Sequence, residues 1–237
     1  MQRPSFEPPA DIGVHDGLSY SLWLPRDRPA GGVLIIHGAG SSKESHHDFA
    51  RACRSAGLAA LAFDLRGHGE SEGALGDGVL DDLAAMAARL GTRPLALRGS
   101  SMGGYLALVG AAHVGAAAVV AICPAGAEHL LRGLHDDDLG FAADRPGLER
   151  FLGAHDAGAA AEALDVPLLL MHAEGDERIP VEHSRTLGAR ARDVKLVVLP
   201  GGHHRSIQHD FELQGLALRF ISRAFRRAGN DGSMKGG

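Results

Sequence analysis

Six short stretches of the chain are apolar at nearly every position: GVLIIHG (32–38), GLAALAFDL (57–65), PLALRGS (94–100), AAAVVAIC (116–123), VPLLLMHAEG (166–175) and VKLVVLPG (194–201). A run without polar alternation offers no face to solvent, so each reads as a strand covered on both sides, the pattern of a parallel sheet. Between the runs the hydrophobic period lengthens to that of a helix. DGVLDDLAAMAARLG (77–91) opens with an acidic first turn and closes on Arg89 and Gly91, which suit the helix dipole and the C-cap. PVEHSRTLGARAR (180–192) begins with a proline suited to a first helical position. DFELQGLALRFISRAFRRAG (210–229) sets Leu213, Leu216, Phe220 and Phe225 on one face and Arg219, Arg223 and Arg227 on another, which predicts an amphipathic helix docked on a sheet.

Strand and helix alternate, so the expected fold class is α/β: a three-layer sandwich with a mostly parallel sheet flanked by helices. The rhythm breaks once. From Gly126 to Asp165 there is no strand pattern, only short helical pieces and turns such as HDDDLG and DRPG. An insertion of this kind after a strand predicts a short helical cap, at about 127–165, over the C-terminal edge of the sheet, where ligands bind in open α/β folds. The expected organisation is a single domain over 1–228 and a flexible tail at 229–237. YLALVGAAHVGAAAVVAIC (105–123) is apolar enough to suggest a membrane span, but His113, bracketed by Gly110 and Gly115, interrupts it. It reads instead as a buried helix running into a buried strand.

The candidate chemistry begins at RGSSMGG (98–104), which lies between a predicted strand and a predicted helix. In the register Gly99-Ser100-Ser101-Met102-Gly103 the serine of a G-x-S-x-G pattern is Ser101; shifting by one would require glycine at Arg98 and Met102. A strand that turns directly into a helix strains the serine backbone by roughly 1–3 kcal/mol and lifts its hydroxyl to the apex of the bend. A lone serine hydroxyl needs a base, and the base needs an orienting group. Asp176 follows the fifth apolar run, and His203 and His204 follow the sixth, giving the chain order Ser, Asp, His.

With these motifs in place the chain resembles an α/β-hydrolase over roughly residues 13–227. IIHGAG (35–40) resembles the oxyanion loop of that family and GSSMGG its nucleophile elbow. GDERIP and PGGHH resemble the acid and base loops. FDLRGHGES (63–71) resembles a loop of the branch that contains serine aminopeptidases, monoacylglycerol lipases and cinnamoyl-type esterases; in that family it is mainly structural. The resemblance implies Ser101 as nucleophile and Asp176, in preference to Glu174 or Glu177, as the carboxylate. The Pro-Gly-x-x-His habit lands on His204 as base, with His203 as its rival. The backbone N–H groups of Ala39 and Met102 are implied as the oxyanion hole.

Composition narrows the rest. A net charge of −5 and a pI near 6.3 give no general attraction to nucleic acid or to an anionic membrane. Arginine outnumbers lysine 21 to 3, a compositional bias that weakens arginine clusters as functional signals. Two cysteines, Cys53 and Cys123, suggest no disulfide framework, and no leader peptide is visible, so a reducing, cytoplasmic setting is expected. The histidine-rich stretches SHHD (45–48) and HHRSIQHD (203–210) invite a metallohydrolase reading, but neither H-E-x-x-H nor a C-x-x-C pair occurs, and no metal or other cofactor is expected. The expected partner is a small-molecule acyl substrate, with a carboxylic ester of small to medium size favoured because the cap is short and aromatic residues make up only 5%. Thioesters, short peptides or amides on the same triad remain alternatives, as does a non-catalytic binding protein of the same fold. The oligomeric state is not readable.

Overall fold

The computed structural model describes residues 7–136 and 139–234, with side chains described as far as residue 229. Eight strands, β1 (Asp11–His15), β2 (Leu18–Trp23), β3 (Gly32–Ile36), β4 (Ala59–Phe63), β5 (Leu95–Ser100), β6 (Ala118–Ile122), β7 (Leu168–Ala173) and β8 (Val194–Leu199), form one sheet in the order β1-β2-β4-β3-β5-β6-β7-β8. The six strands expected from the sequence are β3 to β8, all mutually parallel. The sequence pattern does not reveal β1 and β2. They form an antiparallel hairpin on the edge, and Ile12 and Val14 of β1 are more than half exposed, so no continuous apolar run marks them.

Burial on both sides explains the unbroken apolar runs. All five residues of β3 are buried, yet they divide between layers. Leu34 and Ile36 join the core beneath α2 (Val79–Leu90) and α3 (Met102–Gly110), whereas Val33 and Ile35 join the core beneath α1 (His47–Ser55) and α8 (Phe211–Met234). The helix end expected at Gly91 is in place, with φ 63° at that residue. The stretch 105–123 is the rest of α3 followed by β6, and among the described residues no helix is long and apolar enough to cross a membrane.

The stretch between Gly126 and Asp165 holds α4 (Ala127–His135), α5 (Arg145–Ala154) and α6 (Ala157–Ala163). Among the described residues it makes one isolated extended bridge, between Leu75 and Ala143. Part of the HDDDLG turn, residues 137–138, lies outside the described residues. α7 (Val181–Arg190) starts one residue after Pro180, which serves as its N-cap. α8 keeps Leu213 and Phe225 buried and Leu216 and Phe220 packed against the same core. Its backbone is helical through Met234; residues 235–237 lie outside the described residues.

Candidate active site

Ser101 sits on the bend between β5 and α3 with φ 54° and ψ −120°, a conformation that side-chain-bearing residues rarely adopt. Three backbone hydrogen bonds hold it there: its N–H donates to the Ile122 carbonyl at 2.8 Å, and its own carbonyl accepts from Tyr105 and Ala125, each at 3.1 Å. The flanking glycines are required by contact. A Cβ on Gly99 would stand 1.9 Å from the Gly103 oxygen, and one on Gly103 would stand 2.2 Å from the Ile36 oxygen. The bend therefore presses α3 onto the ends of both β3 and β5. Met102, the first residue of α3, brings its N–H to the helix N-terminus, where the backbone N–H groups have no partner within the helix.

Asp176 follows β7 in a tight turn, and its side chain is fully buried. Oδ1 accepts the N–H groups of Arg178 and Ile179, both at 2.9 Å. Oδ2 lies 2.7 Å from His204 Nδ1 and 3.3 Å from His172 Nε2. Burial alone would raise the carboxyl pKa, but the hydrogen bonds from His172, His204 and the two backbone N–H groups outweigh it and hold the group far below the usual carboxylate range. An ionised Asp176 accepts, so His204 Nδ1 carries the proton and Nε2 keeps a free lone pair.

Of the histidine doublet, His204 is the residue that meets Asp176. His203 is exposed and organises its own turn: its N–H donates to Ser206 Oγ at 3.0 Å, and its Nδ1 accepts from the Arg205 N–H. The rival acids also point elsewhere. Glu177 accepts the His204 backbone N–H at 3.1 Å, and Glu174 lies near Arg185.

Two adjoining clefts meet at Ala39, Ser101, Arg178 and His204. The larger, about 330 Å³, extends toward the cap over Ala125, Leu130, Leu139 and Ile179. The smaller, about 50 Å³, runs toward Ser41 and Gln208. Ala39 follows Gly38, where a Cβ would come within 3.2 Å of the Ser101 Cβ, so the loop after β3 lies directly against the bend. His37 anchors that loop: its Nε2 accepts the Leu65 N–H at 3.0 Å, which leaves Nδ1–H to donate to the Gly38 carbonyl at 2.8 Å. Burial lowers its pKa to about 4.

FDLRGHGES builds a structural knot. Buried Asp64 accepts from the Lys43 N–H at 2.7 Å, from Lys43 Nζ at 2.8 Å and from the Glu70 N–H at 3.0 Å. The two histidine-rich stretches do meet, with His209 Nδ1 2.9 Å from Asp48 Oδ2.

Sequence reasoning passed over three supporting residues. His172, at the end of β7, is fully buried; its Nε2–H is shared between the Ile179 carbonyl at 2.9 Å and Asp176, while Nδ1 accepts from the Ser184 hydroxyl at 2.7 Å. Cys123 has φ 41°, and its sulfur lies within 4.8 Å of donor atoms of both Asp176 and His204. Arg98, buried in β5, donates to the Gln208 carbonyl at 3.0 Å. A histidine ending an apolar strand one turn before the acid was the available signal for the first; the others carry none.

Residues 27–135 match the serine aminopeptidase family. A monoacylglycerol lipase of Mycolicibacterium smegmatis is 30% identical, over 78% of this chain and 85% of that protein. Among solved structures, the esterase Est1E of Butyrivibrio proteoclasticus, in a form with ferulic acid bound, superposes with a TM-score of 0.69 at 21% identity, over 90% of this chain and 97% of that one. A soluble variant of the Saccharomyces cerevisiae monoglyceride lipase gives 0.71 at 16% identity, over 96% and 97%. At such identities the structural matches speak for the fold alone.

Proposed function

The chain belongs to the α/β-hydrolase family, in the branch of the serine aminopeptidases and monoacylglycerol lipases, and from that premise we propose that it is a serine esterase acting on small to medium carboxylic esters through an acyl-enzyme. One observation carries the reading: a buried, ionised Asp176 fixes the tautomer of His204 at 2.7 Å, and His204 lines the same cleft as Ser101 and Ala39.

In this reaction His204 Nε2 takes the Ser101 proton as Oγ attacks the ester carbonyl. The imidazolium that forms is stabilised by Asp176, which stays ionised. The N–H groups of Ala39 and Met102 receive the oxyanion, and a donor of this kind is worth roughly 10²–10³ in rate. His204 returns its proton to the departing alcohol, then activates a water that releases the acid and restores Ser101. The chemistry runs on these groups alone, without a cofactor.

The test is hydrolysis of para-nitrophenyl esters of increasing acyl length, beside labelling by a fluorophosphonate. Turnover and labelling by the wild type, with both lost in Ser101→Ala, are expected. A wild-type protein that neither turns over nor labels would instead favour a binding protein of this fold.

A further inference from the structure

The cleft around Ser101 is cationic in an acidic protein. The chain carries a net charge of −5, yet among the described residues no carboxylate lines either cleft, whereas Arg132 and Arg178 line the larger and Arg178 and Arg205 the smaller. What sets these arginines apart is their place on the cleft that Ser101 and His204 also line. Several arginines elsewhere pair with acids, among them Arg66 with Asp82 at 2.8 Å, Arg150 with Asp77 at 2.6 Å and Arg190 with Glu162 at 2.9 Å. Among the described residues the side chains of Arg132 and Arg178 have neither an ion pair nor a hydrogen bond, and both are exposed at the rim. Two acids near these arginines in the chain are already engaged. Glu177 accepts the His204 N–H, and Glu128 lies 3.0 Å from His129 Nδ1 and 3.6 Å from His183 Nδ1.

Two arginines on one cleft concentrate like charge there, and each guanidinium offers a planar fork that matches a carboxylate. Besides these arginines and His129, the larger cleft is lined by Ala125, Leu130, Leu139 and Ile179, a short apolar stretch. A cleft that joins an apolar lining to two unpaired arginines suits a short chain ending in a carboxylate.

Building on the esterase reading, we propose that Arg132 and Arg178 form an anion subsite. The preferred substrate is then an ester whose short acyl or alcohol part carries a free carboxylate. The local positive field also steers such substrates to the cleft, so their advantage shrinks as salt screens it.

Two matched series test this. On the acyl side, para-nitrophenyl hemisuccinate and hemiglutarate are compared with the butyrate and pentanoate esters. On the alcohol side, para-acetoxybenzoate is compared with para-acetoxybenzyl alcohol. The expected result is a kcat/KM advantage of roughly tenfold or more for the charged member in at least one series at low ionic strength, as charge-assisted hydrogen bonds of this strength imply. Arg178→Gln and Arg132→Gln should each shrink that ratio, and high salt should do the same. Equal or better turnover of the neutral member in both series overturns the subsite, as does a preference that both variants leave intact. An active wild type without charge preference removes the subsite and leaves the esterase. If no ester is turned over, calorimetry with glutarate still decides: binding that Arg178→Gln abolishes supports the subsite, and no binding by the wild type overturns it.

Discussion

Arg98 donates from Nη2 to the Gln208 carbonyl at 3.0 Å, so the strand leading into Ser101 is bonded directly to the loop that carries His204. The guanidinium is buried, lies 4.4 Å from the centre of the Phe49 ring, and donates from Nη1 to His46 Nδ1 at 2.7 Å. Burial lowers its pKa to about 10, which leaves it charged near neutral pH. Arg98→Met keeps the bulk and deletes both bonds, each worth roughly 1.5–3 kcal/mol when a charged donor is involved. We expect a lower melting temperature and a roughly tenfold fall in kcat with KM little changed, partly rescued in Arg98→Lys. A fall in stability with unaltered kcat would make Arg98 a core residue without influence on the base loop.

The same buried imidazoles make the fold sensitive to acid. His37 is neutral in the folded chain, because its Nε2 accepts the Leu65 N–H, and burial lowers its pKa from 6.5 to about 4. His46 accepts from Arg98 and is held well below its ordinary value by burial and by that charge. Below pH 6.5 the unfolded chain takes up protons that the folded chain refuses, so stability falls as pH falls. By pH 4 the loss from His37 alone is about 3 kcal/mol. Denaturant titrations at stepped pH should show unfolding free energy declining from pH 6.5 to pH 4. A flat profile would mean that water reaches these rings.

The sequence made the central sheet legible because burial on both faces leaves an unmistakable signature, and all six strands so marked are present. The β1–β2 hairpin lacks that signature: β1 is exposed on one side, and Ser19 and Ser21 interrupt β2 although both are buried. Its only signal is Asp16-Gly17 at the turn, where φ is 53° and 78°. The candidate site divides in the same way. Ser101, Asp176 and His204 announce themselves through backbone requirements that restrict nearby residue types. His172 and Arg98 act through partners that only the fold brings near, so local spacing gives no hint of them.

Contact at the bend allows a sharp contrast among glycines. Gly99→Ala and Gly103→Ala drive a methyl group into backbone oxygens at 1.9 and 2.2 Å, and backbone cannot swing aside as a side chain can. Loss of soluble protein, or of at least about 3 kcal/mol, is expected for each, at the severe end of single substitutions. Gly153→Ala is the control. This glycine lies within α5 with nothing inside 4 Å, so alanine there should be neutral or stabilising by up to about 1 kcal/mol. Thermal melts of the three proteins decide it.

Adjacent histidines should differ by orders of magnitude. His204→Ala removes the proposed base and leaves Asp176 without its 2.7 Å partner, so kcat/KM for a para-nitrophenyl ester should fall by roughly 10³-fold or more. His203→Ala removes an exposed ring that caps its own turn, and a change of a few fold is expected. The reverse ranking would overturn the assigned base.

His172 bears on the reaction through Asp176. Its Nε2–H reaches both the Ile179 carbonyl and Asp176 Oδ2, the oxygen that also meets His204, and so holds the carboxylate and the turn that supplies the two backbone N–H donors. The Ser184 hydroxyl sets the tautomer by donating to Nδ1. In His172→Leu the Ile179 carbonyl and Ser184 hydroxyl lose their partner, and Asp176 is free to rotate away from His204. A loss of about 1–2 kcal/mol in orientation corresponds to a roughly tenfold lower kcat. Because His172 never reaches the cleft, KM should stay within a few fold. His172→Gln, which can still donate toward Asp176, should recover part of the rate; a Gln variant no better than Leu, at equal stability, would show that the imidazole serves only to fill the core.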